Sequence, residues 1–380
     1  MDRKGARTIG RAVAAWSGGR SIFVGRDTRE SGPGLAAAVI EGLVAGGVTA
    51  LDLGVVPTAA VSCAAGLDPG AGGGIMVTAS HNAWTDNGIK VVDSAGAKLH
   101  DTSELTRFFE AQPETGPGKV VTVPRPLLPW HARLPEVDLQ GRKILFDSAP
   151  GAAHACGPAV LQALGAEVVR RGCAPDGRNI NDRVGALHPP TDLLGCDLAI
   201  CLDGDADRLV MVDPDHGALD GDDLLWMLAG RSTGPVVGTV MTNSGLEVAL
   251  GARLIRTEVG DAHVAAGMAC HGAALGGEPS GHILFADGMP TSDGMATALE
   301  ILRRAEGGPL PVAGWTRWPQ ARRDVRDAVV PESLPAITEA EDAGHRVLVR
   351  ASGTEPLVRV MVEGADASVW ADRIAGALGT

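Results

Sequence analysis

The sequence predicts an α/β fold of several domains that ends in a small α+β segment. Short apolar β-type runs alternate with Ala/Leu-rich amphipathic segments, a pattern typical of strands joined by crossover helices. This alternation occurs three times, in units of roughly a hundred residues that can each bury a sheet of their own. The last part of the 380-residue chain differs, with two strands around a turn and a terminal helix.

These patterns predict the following elements in chain order. The first unit has strands over residues 21–25, 50–53 and 74–78 and a helix over 34–46. The second has strands over 143–147, 167–170, 198–202 and 209–212 and a helix over 156–164. The third has strands over 236–241, 254–257 and 282–285 and helices over 246–252 and 262–270. The last part has strands over 346–350 and 357–363 and a helix over 367–378.

Pro/Gly-rich segments indicate where domains meet. They lie near residues 124–135, 220–222 and 306–314, and segments of this composition commonly link domains. A chain of this length exceeds one ordinary hydrophobic core, so more than one domain is expected. The predicted domains cover residues 1–125, 137–220, 221–308 and 312–380.

Composition and charge exclude several classes of protein. The net charge of −13 lacks the basic excess that nucleic acid or an anionic membrane surface requires of a partner. The sequence starts without an apolar signal segment and has no run of about 18 apolar residues, so we expect a cytoplasmic protein. Its six cysteines include no C-x-x-C pair, so neither a zinc site nor a disulfide framework is predicted.

The first chemical motif, T-A-S-H-N at residues 78–82, follows an apolar strand and is itself followed by Lys90. Ligand sites in α/β sheets form at the ends of strands, which makes Ser80 a candidate for chemistry. A serine is a weak nucleophile unless a base or metal activates it, or unless it is already phosphorylated and only donates. The alternative is a turn whose serine and asparagine side chains cap the backbone.

The second motif is a tight loop in which Asp203, Asp205 and Asp207 alternate with other residues and Arg208 follows. Three carboxylates this close repel one another unless a hard cation lies among them, and oxygen-only ligands suit Mg²⁺. An EF-hand is excluded because Arg208 stands at the sixth position, where that loop needs glycine, and because predicted strands flank the loop. The alternative is a solvated acidic turn.

The third motif is G-G-E-P-S-G-H at residues 276–282. Its glycines let the backbone approach a ligand closely. The carboxylate of Glu278 and the hydroxyl of Ser280 can both bond to sugar hydroxyl groups. The motif therefore predicts a binding site for a polyhydroxylated ligand.

The fourth motif is R-A-S-G-T-E-P at residues 350–356. It offers a guanidinium group, two hydroxyls and a glycine turn whose N–H groups can cradle a phosphate. An ordinary β-turn is the alternative interpretation.

In this order and at these separations, the four motifs resemble those of the α-D-phosphohexomutase family, most closely the bacterial phosphoglucosamine mutases. The resemblance runs from about Ile22 to the C-terminus. It includes the linking strings G-R-D-T-R at 25–29, P-D-G-R-N-I-N at 175–181, T-E-V-G-D at 257–261 and R-V-M-V-E-G at 359–364. It implies four domains around a central cleft, three related mixed-sheet α/β domains and a C-terminal α+β domain.

The resemblance also implies roles for individual residues. Ser80 matches the family's phosphoserine, and Asp203, Asp205 and Asp207 match the ligands of one Mg²⁺, with the phosphate on Ser80 completing the set. Lys90 and His282 match groups implicated in proton transfer, and Arg208 matches a residue beside the phosphoserine. Glu278 and Ser280 match the residues that bind sugar hydroxyls. The phosphate that is not transferred is expected to bind Arg350, Ser352, Gly353, Thr354 and Arg359.

The implied reaction moves a phosphoryl group between O6 and O1 of a hexose phosphate through a bisphosphate intermediate, with a hexose bisphosphate as activator. We expect a monomer or homodimer that interconverts glucosamine 6-phosphate and glucosamine 1-phosphate. A phosphomannomutase or phosphoglucomutase, a phosphosugar-binding homologue with impaired turnover, and a phosphoserine hydrolase are the alternatives.

Two further expectations follow from the resemblance. An acidic protein can bind an anionic sugar phosphate if cations concentrate locally, and the candidates are Arg26, Arg29, Lys90, Arg208, Arg350 and Arg359. Family members usually begin with a string of the type F-G-T-D-G-I-R-G that brings an arginine to the active site. The sequence given starts after that string, so we expect this arginine to be missing.

Overall fold

The computed structural model describes residues 1–379 apart from residues 100, 102, 110–117, 231, 290, 313, 332 and 352–356. The chain forms two compact units. The first comprises Met1–Val240 and Ile255–Val312, and the second comprises Met241–Leu254 and Ala313–Thr380.

The first sheet of the first unit has five strands in the order β4-β3-β1-β2-β5. Its strands are β1 (Ser21–Arg26), β2 (Ala50–Val55), β3 (Ala71–Val77), β4 (Ile89–Val92) and β5 (Val120–Thr122). Only β4 runs antiparallel to its neighbour. The helices of this segment are α1 (Arg3–Trp16), α2 (Gly32–Ala45), α3 (Thr58–Leu67), α4 (Ser103–Thr106) and α5 (Leu128–His131). Every residue of β3 is buried. The C-terminal end of this strand, which leads to Ser80, therefore lies inside the unit.

The second sheet has the order β10-β9-β8-β6-β7. Its strands are β6 (Lys143–Asp147), β7 (Glu167–Arg171), β8 (Leu198–Leu202), β9 (Leu209–Asp213) and β10 (Gly217–Leu219), with helix α6 (Cys156–Ala163) and a 3₁₀ turn at Gly185–Leu187. Strands β8 and β9 are antiparallel and entirely buried. The aspartate motif is the turn that joins them.

The third sheet has the order β12-β11-β13-β14. Its segment contains α7 (Gly221–Ala229), β11 (Val236–Thr239), α8 (Ser244–Leu250), a 3₁₀ turn (Gly251–Arg253), β12 (Leu254–Thr257), α9 (Asp261–His271), β13 (Leu275–Gly277), β14 (Ile283–Phe285) and α10 (Gly294–Arg304). Helix α8 belongs to the second unit. Strands β13 and β14 form a hairpin, and the third motif is its connection.

The second unit has a three-stranded antiparallel sheet in the order β15-β17-β16. It contains β15 (Gln320–Arg326), α11 (Pro335–Asp342), β16 (Arg346–Ala351), β17 (Leu357–Glu363) and α12 (Ala367–Leu378). The buried carboxylate of Glu363 accepts hydrogen bonds from the backbone N–H of Ser244 at 2.9 Å and from its hydroxyl at 2.6 Å. It also pairs with Arg346 at 2.9 Å, so one acidic side chain joins α8 to the sheet.

The predicted multidomain α/β fold is confirmed, and each strand and helix predicted above falls on an observed element. Sequence analysis did not identify helix α1, whose buried face consists of small residues and one valine. Among the described residues, every helix is too short or too polar to span a bilayer.

Helices α1 and α2 touch backbone to backbone because each has glycine at the contact. A Cβ added to Gly42 would lie 2.2 Å from the carbonyl oxygen of Arg7, and one added to Gly10 would lie 2.2 Å from that of Val39. We predict that Gly42→Ala destabilises the first unit by about 1–3 kcal/mol, because the helices must move apart. Scanning calorimetry would measure this change.

The control for this prediction is Gly376→Ala in α12, where an added Cβ meets nothing within 4 Å. Because alanine favours helix, this change should stabilise its own unit by about 1 kcal/mol. A Gly42→Ala protein as stable as the original would contradict the close packing of α1 on α2.

Candidate functional site

Ser80 lies just beyond the end of β3, in the position that the sequence predicted. Its backbone is left-handed, with φ of 49°, and its N–H donates to the hydroxyl of Thr78 at 2.9 Å. The Ser80 hydroxyl donates to Oδ2 of Asp203 at 2.6 Å. The first two motifs, about 120 residues apart in the sequence, therefore meet at one point.

The three aspartates of the β8–β9 turn are buried together. Asp203 is 1% exposed, Asp205 is fully buried and Asp207 is 4% exposed. One ligand oxygen from each lies within 4.8 Å of the other two. The solvated-turn alternative for this motif is wrong, because a solvated turn would expose these carboxylates.

Lys90 of β4 supplies positive charge to this cluster. Its Nζ lies 2.6 Å from Oδ2 of Asp205 and 2.6 Å from Oδ2 of Asp207. Burial acts to lower the pKa of Lys90, but Asp205, Asp207 and Asp203 outweigh that effect and raise it. The lysine side chain is therefore a fixed cation among the aspartates.

The pKa values of Asp203 and Asp207 shift in opposite directions. Burial, reinforced by Asp207 and Asp205, raises the pKa of Asp203 to about 8. Burial also acts to raise the pKa of Asp207, but Lys90, His282 and Arg208 outweigh it and hold that pKa below its usual range. Burial and the neighbouring carboxylates thus disfavour a charge on Asp203, whereas nearby cations, Lys90 first among them, favour the charge on Asp207.

The remaining oxygen atoms fit a hard divalent cation. Oδ1 of Asp205 and Oδ1 of Asp207 are buried without a hydrogen-bond partner among the residues that the structure describes. Unpaired buried carboxylate oxygens are costly, and carboxylate oxygens are the ligands that Mg²⁺ prefers. With Asp203 and the Ser80 oxygen beside it, this donor set is suited to one magnesium ion.

Arg208 and His282 each present an unpaired nitrogen near the aspartates. Nε of Arg208 and Nε2 of His282 are buried without a hydrogen-bond partner within the described part of the chain. Nε2 of His282 lies 3.9 Å from Asp261. Burial lowers the pKa of His282, with Asp207 and Asp261 acting against it, so the imidazole is a neutral group that can exchange a proton.

The third motif packs directly against the start of β9. The backbone N–H of Leu209 donates to the carbonyl oxygen of Gly281 at 3.1 Å. Ser292 forms a second link, because its hydroxyl donates to the carbonyl of Asp207 at 2.6 Å and accepts from the N–H of Ile283 at 3.0 Å.

These links hold the residues of the third motif beside the aspartate turn. Glu278 is half-buried, and its Oε2 accepts from the N–H of Gly260 at 3.1 Å. Ser280 is exposed, so its hydroxyl is accessible to a ligand. Sequence analysis placed both residues in one binding site, and the structure brings them to the same hairpin connection.

The fourth motif belongs to the second unit. Arg350 of β16 and Arg359 of β17 are direct cross-strand partners, and like charges at such positions repel unless an anion lies between them. Arg359 also lies 3.9 Å from Asp324. Ser352, Gly353 and Thr354 fall outside the described residues.

Arg29 has a different role from the one that the sequence suggested. We expected it to add positive charge for an anionic ligand, but it is fully buried. Its Nε donates to Asp27 at 2.9 Å, and its other donors bond to the carbonyl oxygens of residues 80, 82, 83 and 86. Arg29 therefore holds the Ser80 loop and cannot contact a ligand, which corrects the expectation.

Sequence analysis also did not single out Asn181, whose side chain reaches the same loop. The only signal was its place in the string P-D-G-R-N-I-N at residues 175–181, which carried the family resemblance but named no role.

Comparison with known proteins agrees with this geometry. The family models "Phosphoglucomutase/phosphomannomutase, alpha/beta/alpha domain I", "alpha/beta/alpha domain III" and "C-terminal domain" match residues 1–114, 220–312 and 317–378. A phosphoglucosamine mutase of Halorhodospira halophila is 40% identical over 397 residues, covering 93% of this chain and 86% of that protein. One from Desulforudis audaxviator is 41% identical over 390 residues, covering 91% and 86%.

Solved structures give the same result. A phosphoglucomutase/phosphomannomutase family protein from Burkholderia thailandensis superimposes with a TM-score of 0.82 at 26% identity, covering all of this chain and 93% of that one. An N-acetylphosphoglucosamine mutase from Aspergillus fumigatus has a TM-score of 0.66 at 20% identity, covering 85% and 93%, and shares the fold. On the extent of these matches, the chain belongs to the phosphoglucomutase/phosphomannomutase family.

Proposed function

We propose that this chain is an isomerase that interconverts glucosamine 6-phosphate and glucosamine 1-phosphate through a phosphoryl group carried on Ser80. The observation that carries the proposal is the Ser80 hydroxyl 2.6 Å from Asp203, within a buried cluster that also contains Lys90. The choice of glucosamine rests on the relatives of about 40% identity that are named phosphoglucosamine mutases.

The chemistry begins with phosphorylated Ser80. A hydroxyl oxygen of the sugar phosphate attacks the phosphorus, the bond from phosphorus to Ser80 Oγ breaks, and a sugar bisphosphate forms. The hydroxyl proton leaves to a neighbouring base, and Ser80 Oγ regains a proton. After the bisphosphate turns around, Ser80 Oγ gives its proton to a base and attacks the phosphorus of the other phosphoryl group. The bond from that phosphorus to the sugar oxygen breaks, the sugar oxygen takes up a proton, and the isomerised monophosphate departs.

The residues of the first unit have distinct tasks in these steps. His282, neutral and buried, accepts or returns the proton at Nε2. Lys90 balances the charge of Asp205 and Asp207, and the proton-transfer role that the resemblance implies for it stays a prediction. The unpaired Nε–H of Arg208 can bond to an oxygen of the phosphoryl group. Asp203, Asp205 and Asp207, together with the phosphate on Ser80, would hold Mg²⁺, which when bound supplies neutralisation of the phosphoryl oxygens.

Recognition of the sugar phosphate uses the other two motifs. Glu278 and Ser280 bond to sugar hydroxyls, a role supported by their place on one hairpin connection beside β9. Arg350 and Arg359, with Ser352, Gly353 and Thr354, bind the phosphate that is not being transferred. The cross-strand pairing of the two arginines supports this assignment, because it places two guanidinium groups side by side on neighbouring strands.

The decisive test follows the phosphoryl group by intact mass. We predict that the wild-type chain accepts one phosphoryl group from a hexose 1,6-bisphosphate and that Ser80→Ala does not. The same variant should lose mutase turnover by at least about a thousandfold while staying folded, because the nucleophilic oxygen is removed. Loss of the hydrogen bond to Asp203 should lower its melting temperature without unfolding it at the assay temperature. Ser94→Ala, on an exposed turn, is the matched control. Phosphorylation of Ser80→Ala at the wild-type rate would refute the assignment.

Substrate preference is tested by comparing glucosamine, mannose and glucose 1-phosphates at equal concentration. We predict the highest kcat/KM for glucosamine 1-phosphate. The family description names glucose and mannose enzymes, so a glucose or mannose rate far above the glucosamine rate would reassign the substrate. Binding without turnover would indicate a phosphosugar-binding homologue, and steady release of phosphate without isomerised sugar would indicate a hydrolase.

Magnesium binding is tested without turnover. Adding Mg²⁺ should raise the melting temperature of the wild-type chain, because a ligand that binds only the folded state stabilises it. Asp205→Asn should remove most of this rise, since it replaces one buried carboxylate of the cluster. Asp215→Asn, on the exposed turn after β9, should keep it. An undiminished rise in Asp205→Asn, or full mutase activity in EDTA, would contradict the metal assignment.

The cytoplasmic location, the monomeric or homodimeric state and activation by a hexose bisphosphate stay predictions. The phosphorylation test bears on the activator as well, because the bisphosphate supplies the phosphoryl group in that experiment.

A further inference from the structure

A loop of the second sheet reaches across to the Ser80 loop. Nδ2 of Asn181 donates to the carbonyl oxygen of Ser80 at 2.9 Å and to that of Asn82 at 3.0 Å. Asn181 is 8% exposed, so water cannot readily replace its amide group as the hydrogen-bond donor to these carbonyl oxygens. Both amide protons are committed to the loop backbone, and the side chain is therefore occupied in holding that loop.

Asn181 is itself held firmly. Its backbone N–H donates to the carbonyl of Ala149 at 3.0 Å, and the preceding Ile180 is 1% exposed. Its φ of 60° is left-handed, a conformation that asparagine adopts more readily than most residues. The amide group therefore projects from a fixed backbone.

The surrounding loop is also fastened to the first sheet. Arg178 forms a two-point ion pair with Glu30, at 2.7 and 3.0 Å, and the N–H of Glu30 donates to the carbonyl of Gly177 at 2.9 Å. The hydroxyl of Thr28 donates to the carbonyl of Pro150 at 2.5 Å. These contacts join the second-sheet loop to the segment that carries Arg29.

Arg29 and Asn181 act on the same two carbonyl groups. Nη2 of Arg29 donates to the carbonyl oxygens of Ser80 at 3.0 Å and Asn82 at 2.9 Å. Each of these carbonyls thus accepts one bond from the loop after β1 and one from the loop after β7. A carbonyl held by two donors cannot rotate without losing one of them, so the Ser80–His81 and Asn82–Ala83 peptide planes are fixed.

We infer that Asn181 is a positioning residue for phosphoryl transfer, an inference that rests on the proposed function. Ser80 has a left-handed backbone conformation. A residue other than glycine seldom adopts this conformation unless its surroundings impose it. Asn181 and Arg29 impose it here by holding the carbonyl of Ser80. The direction of the Ser80 Oγ toward Asp203 follows from that backbone conformation.

The inference predicts a change in rate with little change in sugar binding. Asn181→Ala removes both bonds and should lower kcat by about 10–100-fold, since a small misplacement of a reacting group can cost that much. The KM for the sugar phosphate should change by less than about threefold, because Asn181 is not positioned to bind the sugar. Asn181→Asp should lower kcat at least as much, since it loses the donor and places a carboxylate against two carbonyl oxygens.

The matched control is Asn179→Ala, two residues away in the same loop. Asn179 bonds within its own loop, to the carbonyl of Ala174 and the N–H of Asp176. This change should leave kcat near the wild-type value. Rates are compared well below each melting temperature, per folded molecule, so that a purely structural role would leave kcat unchanged.

The rate of Ser80 phosphorylation by a hexose 1,6-bisphosphate provides a second readout by intact mass. If the wild-type chain accepts no phosphoryl group and does not isomerise sugar phosphates, the proposed function fails. If the wild type does both and Asn181→Ala matches its kcat and its phosphorylation rate, the function stands and the positioning role is wrong. Equal losses in Asn181→Ala and Asn179→Ala would also overturn it.

Discussion

Three buried carboxylates share one small volume with the ammonium group of Lys90, and the packing of the first unit depends on how their charge is balanced. Removing several like charges from water is costly unless they are paired. Lys90 pairs with Asp205 and Asp207, and the hydroxyl of Ser80 donates to Asp203. Each partner comes from the first sheet while the carboxylates come from the second, so balancing the charge also brings the two sheets together.

Thr58 shows the same coupling at the backbone level. Its N–H donates to the carbonyl of Asp205 at 3.1 Å, and its hydroxyl donates to the carboxylate of Asp205. The Ser80 loop also approaches the aspartate turn closely at residue 204. This contact requires glycine there, because a Cβ would lie 2.5 Å from the carbonyl oxygen of Ser80. The contact between the serine loop and the aspartate turn is thus made by backbone atoms, which gives the reacting groups little freedom.

Sequence analysis identified the strands and helices whose pattern of apolar residues is evident within a short stretch of the chain. Apolar runs such as those of β6, β8 and β17 gave their observed bounds, because most residues of these strands are apolar and buried. Helix α3 was missed because nearly all of its side chains are apolar and buried, which leaves no amphipathic period to detect. Strand β15 was missed because its exposed positions carry charged residues that resemble a loop.

The candidate site shows the same division between local and distant information. Ser80 and the alternating aspartates were predicted because each lies in a short motif whose chemistry is evident in the sequence. Arg29 and Asn181 were not, because their function lies in the carbonyl groups that they reach, 51 and 101 residues from Ser80 along the chain. An arginine in a sequence indicates charge, and only the fold shows whether that charge meets a ligand or the protein's own backbone.

Lys90 and Arg29 are cations of different chemical types, and each type suits the task of its residue at this site. An ammonium group is a compact charge with little directional preference, suited to neutralising two carboxylates from the position it occupies between them. A guanidinium group has donors in a rigid planar fork, suited to fixing several carbonyl groups at once. Arg29 uses that fork on four carbonyls and one carboxylate. Charge balance and loop geometry are therefore set by separate residues, which allows the charge near Ser80 to change during a reaction while its backbone stays in place.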